Sequence, residues 1–242
     1  MHLDYLQHHH WRFTPIDNRL LAARQPTLTV TAADISALHQ QLPIVLPPTP
    51  DQLPQALQVP SDCQHSYGHY LPSLWRYYPF YLVEQGNILD AACQLQRHMT
   101  VQFDADAGHF AQKHGYPLFN DHGQPAPLLQ ETLIGLSQQQ GEIAQTLRLI
   151  QCLAEAGALK PATVRHGVAL IDCCLIDPEG LGEKLERIPE EYRHQAALLA
   201  DLLLHAQSHL QAQGELYLTP YQVDPAQHSQ RRIWGFRPQW GR

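Results

Sequence analysis

Two long helix-period segments on either side of a β-rich run constrain this chain more than any other feature. Leu128 to Ala156 carries Leu129, Leu133, Leu136, Ile143, Leu147 and Ile150, mostly three or four residues apart. That spacing predicts an amphipathic helix, stopped by Gly157 and Pro161. Glu190 to Gln213 is a second such segment, ended by Gly214. Between them, Val164 to Ile176 is β-rich. Shorter strands are predicted at Thr27 to Thr31, at Pro43 to Leu46, and from Tyr78 to Gln94 around a Gln85-Gly86-Asn87 turn. Strands and helices do not alternate regularly, which disfavours a doubly wound sheet. The expected fold is α+β, with a small mixed or antiparallel sheet covered by two long helices. With 242 residues and no visible linker, one domain over 1–242 is expected, with a less regular tail at 214–242.

Local signals fill in the rest. Thr31 and Asp34 have the spacing of a capping box, with Asp in place of Glu, and predict a helix through about Gln41. Pro47 to Pro60 holds five prolines and reads as a loop or a broken single turn of helix. Asp104 to Lys113 is expected to be a short helix. Phe119-Asn120-Asp121-His122-Gly123 reads as a turn, because Asn, Asp and Gly tolerate its dihedrals. Asp177-Pro178 predicts a helix start running through Leu185.

Composition excludes some classes of function. The formal net charge is -7, and only Lys113, Lys160 and Lys184 supply lysine. Phosphate-backbone binding and polybasic membrane contact both need a basic patch, so neither is expected. The longest apolar stretch, near Ala196 to Ala206, is broken by Asp201 and His205, so no membrane insertion is expected. Cys63, Cys93, Cys152, Cys173 and Cys174 form no CxxC pair. An odd count with no signal peptide predicts reduced thiols and a cytoplasmic location.

The chemistry concentrates in His69-Tyr70-Leu71-Pro72-Ser73-Leu74-Trp75-Arg76-Tyr77-Tyr78-Pro79-Phe80-Tyr81-Leu82. If the run is a strand, Arg76, Tyr78 and Phe80 share one face, with Trp75, Tyr77 and Tyr81 on or near the other. A guanidinium among aromatic rings can stack on them or hold a carboxylate bidentately. Tyr70, Trp75, Arg76, Tyr78 and Phe80 are therefore the candidate binding residues. They suit a peptide or glycan groove, and equally a core in which Arg76 neutralises a buried carboxylate. Asp201, His205 and His209 stand at i, i+4 and i+8 of the last long helix. This is either a solvated polar stripe or, because two His one turn apart can reach one ion, a candidate metal site. Asp104-Ala105-Asp106-Ala107-Gly108 begins like a calcium loop but lacks its closing Glu, so capping accounts for it better. The residues themselves name no cofactor.

The run Tyr70 to Phe80 resembles the "Y-[VL]-P-x-x-x-R-x-Y-P-F" motif of the SapC-like family of bacterial proteins. Leu42 to Leu46, Leu118 to Gly123, Ala156 to Pro161 and Gly167 to Leu185 follow in the same order, so the resemblance covers roughly residues 9 to 212. It implies a non-catalytic accessory or binding protein that handles a peptide or surface protein in an export or modification setting. The alternative is an Fe- or Zn-dependent enzyme, or an enzyme subunit, using some of the 16 His.

Overall fold

A computed structural model describes residues 2–58, 70–89, 95–166, 169–212, 216 and 217. The fold is α+β, as expected, with small antiparallel sheets and several helices. The described residues fall into two compact units. One is built from residues 2–18 and Leu74–Gln140, and the other from Arg19–Ser73 and 141–217.

In the first unit, a hairpin pairs Phe80–Leu89 with Leu95–Phe103, with a register shift between Glu84 and Gly86. The strand therefore runs through the predicted Gln85-Gly86-Asn87 turn. Gln85 is the extra residue of a bulge, and the ladder continues past it with Gly86 opposite His98 and Asn87 opposite Arg97. A second small sheet sets Arg12–Phe13 between Phe110–Ala111 and Tyr116–Pro117. Asp104 to Lys113 is thus not a helix. Asp104 accepts from the Asp106 amide and Gly108 takes a left-handed φ of 75°, so the segment turns before it enters the sheet. The core gathers Phe80, Phe103, Leu118, Leu129 and Leu136, with Trp11, Phe13 and Phe110 packed against them. Phe103 and Phe110 lie 4.9 Å apart edge to face, and Phe80 and Phe110 5.7 Å. Such ring pairs contribute about 0.5–1.5 kcal/mol each beyond burial.

In the second unit, Gln55–Leu57 lies between Thr27–Thr29 and Ile44–Val45. That middle strand falls inside the proline-rich stretch read as a loop or a broken turn. Pro54 precedes it, where a missing N–H costs the ladder nothing. A second sheet sets Leu159–His166 between Ala169–Ile176 and Leu216–Tyr217. The two sheets meet at one bridge, where Leu46 and Cys174 exchange N–H···O bonds of 3.1 and 2.7 Å. Pro47 and Pro48 follow and cannot donate, so pairing stops there. The capping box forms as read: Thr31 Oγ1 accepts from the Asp34 amide and Asp34 accepts from the Thr31 amide, opening the helix Ala32–Leu38.

The two long helices also form, at Pro127–Glu155 and Glu190–Ala212. Leu199, Leu203 and Leu210 of the last helix are buried with Ala196, Ala200 and Ala206, the stripe that three- and four-residue spacing dictates. The short helix before it is Leu181–Glu186, later than expected. Its N-cap is Gly180 at φ 61°, and Asp177 instead holds Lys184 Nζ at 2.6 Å. None of the described helices is long and apolar enough to cross a membrane.

Candidate functional site

The aromatic-arginine motif is built differently from the strand expected of it. Ser73–Arg76 closes a helical turn, and the strand begins only at Phe80. Arg76, Tyr78 and Phe80 therefore do not share a strand face, because residues on a helical turn advance about 100° each rather than alternating. Pro79, with no N–H and a cis Tyr78–Pro79 bond, separates turn from strand. Trp75, Tyr78 and Phe80 are buried, with exposures of 1%, 2% and 3%. Arg76 is exposed, and Tyr77 and Tyr81 are half-buried.

Tyr70 belongs to the second unit, where a buried carboxylate fixes it. Asp34 is fully buried. Its Oδ1 accepts from the Tyr70 hydroxyl at 2.6 Å and from the Ser73 amide and hydroxyl, both at 2.9 Å. Its Oδ2 accepts from the Thr31 amide at 2.8 Å and hydroxyl at 3.0 Å. Five donors around one carboxylate replace the water it lost on burial. Asp34 Oδ1 thereby satisfies the first amide of the turn Ser73–Arg76, which no carbonyl within the turn can reach.

From Leu74 onward the motif lies in the first unit, where a buried amide holds it. Asn18 Nδ2 donates to the Trp75 carbonyl at 2.9 Å and to the Tyr78 carbonyl at 2.8 Å, on either side of Arg76. With both amide hydrogens spent on carbonyls, Asn18 Oδ1 must accept. It faces His109 Nε2 at 3.1 Å. His109 is fully buried, stacked on Phe13 at 5.6 Å and edge-on to Tyr78 at 5.6 Å. Burial pushes its pKa below the usual imidazole range, while the Ala107 carbonyl and Asp104 pull the other way. Tyr78 is anchored again through its hydroxyl, which donates to Asp104 Oδ2 at 2.8 Å.

The candidate metal residues are arranged around a carbonyl. His205 Nδ1 lies 3.4 Å and His209 Nε2 3.2 Å from the main-chain oxygen of His39, at the end of the helix Ala32–Leu38. That oxygen has no partner further along the helix, so two imidazoles complete its C-terminus. The His39 and His205 rings stand 5.1 Å apart, and the His205 and His209 rings 5.7 Å. Asp201 is exposed one turn earlier. Among the described residues, no three His, Cys, Asp or Glu side chains are grouped to hold a metal ion. Three described cysteines, Cys152, Cys173 and Cys174, carry free thiols. Burial pushes the Cys173 thiol up to about 12, so it is not a nucleophile at neutral pH. Cys63, Cys93 and His69 lie outside the described residues.

Asn18, Asp34, His39 and His109 escape a reading of the sequence. Asn18, His39 and His109 lie in no motif, and the contacts Asn18–Trp75, Asn18–His109, His39–His205 and Asp34–Tyr70 each join residues dozens of positions apart. Only Asp34 left a trace, through the capping box.

The SapC family model matches residues 3–208. No curated protein and no solved structure matches the chain.

Proposed function

The chain belongs to the SapC family, and from that premise we propose that it is a non-catalytic accessory protein that binds a peptide or surface protein through the face carrying Arg76. One observation carries this reading. Within the motif, Trp75, Tyr78 and Phe80 are committed to the core, while Arg76 is exposed, with the half-buried Tyr77 next to it and the half-buried Tyr81 five residues on. Arginine and tyrosine are the residue types that dominate protein-recognition surfaces. A guanidinium can also take a peptide carboxylate bidentately. The buried aromatics then serve the site from beneath, by fixing the turn rather than by touching the partner. A cytoplasmic setting is part of this proposal and rests on the odd count of five cysteines.

The test is recovery of the native partner by affinity purification from the source cells, with wild type and Arg76→Ala in parallel. Arg76→Ala should keep the wild-type melting temperature and lose the partner. A variant that keeps both would remove Arg76 from the binding face and sink the proposal.

A further inference from the structure

His109 has both imidazole nitrogens facing acceptors inside the core of its unit. Nε2 meets Asn18 Oδ1 at 3.1 Å and Nδ1 meets the Ala107 carbonyl at 3.0 Å. A neutral imidazole has one N–H, so it can satisfy only one of them. An imidazolium would satisfy both, but it would have to carry its charge in a space closed to water, between Phe13 and Tyr78. Among the described residues, the charged or titratable groups facing it are Asp104 and Tyr78, and the Tyr78 hydroxyl already donates to that carboxylate. Asn18, Ala107 and Phe13 are uncharged. The ring is thus held in a conflict that one proton decides. What it braces is Asn18, whose amide grips the carbonyls of Trp75 and Tyr78 around Arg76.

We infer that His109 is an acid-released latch on the turn that displays Arg76. Neutral and buried, it donates Nε2–H to Asn18 and holds the turn. Once charged it is drawn to water, Asn18 loses its brace, and the turn loosens. The sign follows from linkage. Opening the turn returns His109 to water and to its ordinary pKa of 6.5. The buried ring binds protons less readily than the hydrated one, so acid favours the open form. This inference rests on the proposed binding face, whose regulation it describes. Loosening in mild acid would weaken the partner's hold.

Hydrogen exchange on the full chain, without partner, tests it. The reporters are the amides of Tyr78 and Phe80, which donate to the carbonyls of Trp75 and Tyr77. After correction for intrinsic exchange, their protection should fall between about pH 7.5 and about pH 5.5, by up to about tenfold, the limit that one proton sets. In His109→Gln, which keeps a donor but cannot charge, protection should not depend on pH. If that variant does not fold, an NMR titration of the wild type serves instead. The His109 ring and the Asn18 side-chain amide should then move at one midpoint, below that of an exposed histidine. Constant protection in the wild type, an equal fall in His109→Gln, or motif amides that follow another midpoint would overturn the latch. Because no partner is present, these outcomes are independent of whether Arg76→Ala loses its partner.

Discussion

Tyr77 lies against the backbone of Gly135. A Cβ on Gly135 would fall 2.1 Å from Tyr77 Cζ and 2.2 Å from its hydroxyl oxygen. The half-buried ring of the motif therefore takes the space of a side chain missing from the helix Pro127–Glu155. This glycine is kept for close approach rather than for its backbone freedom.

Gly135→Ala should accordingly destabilise the protein although alanine is the better helix former. The propensity gain is about 1 kcal/mol, and overpacking costs about 1–3 kcal/mol. Urea unfolding should show a net loss, and adding Tyr77→Leu should recover part of it. A stabilised Gly135→Ala would mean that the ring swings away freely.

Asp34 should be the most sensitive polar residue of its unit. Asp34→Ala strands five donors in the core and should cost more than about 3 kcal/mol, since a hydrogen bond to a charged group is worth about 1.5–3 kcal/mol. Tyr70→Phe removes one donor of five and should cost less, about 1.5 kcal/mol. Equal losses in the two variants would refute the view that the carboxylate is the hub.

The Cys173 thiol gives a signature in alkali. Its folded pKa of about 12 stands above the ordinary 9.0 because burial disfavours the thiolate. A raised pKa stabilises the fold below the unfolded value, and that contribution is lost as pH climbs from 9.0 toward 12. Unfolding measured across this window should steepen in wild type and flatten in Cys173→Ala. In native protein at neutral pH, Cys173 should alkylate far more slowly than after denaturation. Fast native labelling would contradict its placement.

His205 and His209 share one acceptor, so their effects should be coupled. Each change to alanine should cost less than about 1 kcal/mol, and a double-mutant cycle should give a nonzero interaction term. Chelator should leave the wild-type melting temperature unchanged. A chelator-induced fall that both variants abolish would establish a bound metal instead.

What the sequence disclosed was whatever is local. The two long helices and the Thr31–Asp34 capping box are written in spacings of three and four residues, and all three formed. Two- and three-residue strands such as Arg12–Phe13 and Gln55–Leu57 are too short for any period to register. The turn at 104–109 mimics a helix start because Asp caps turns as readily as helices. Arg76 was placed on a strand face because β-rich aromatics surround it. Pro72 and Pro79, which bound a single helical turn, were the contrary signal. The bonds of Asp34 to Tyr70 and Ser73, and of His109 to Asn18, are not legible, because each joins residues that only the fold brings together.

The grip of Asn18 on the motif bears on the order in which this protein assembles. Its bonds to Trp75 and Tyr78 close loops of 57 and 60 residues, and its contact with His109 closes one of 91. Closures of that length contribute nothing until their ends have met, and their entropic cost comes first. The turn around Arg76 should thus be among the last pieces of its unit to settle, and a nascent chain should not display it until residue 109 has been made. An amino-terminal truncation that removes Asn18 would leave every motif residue in place and still deny the motif its shape.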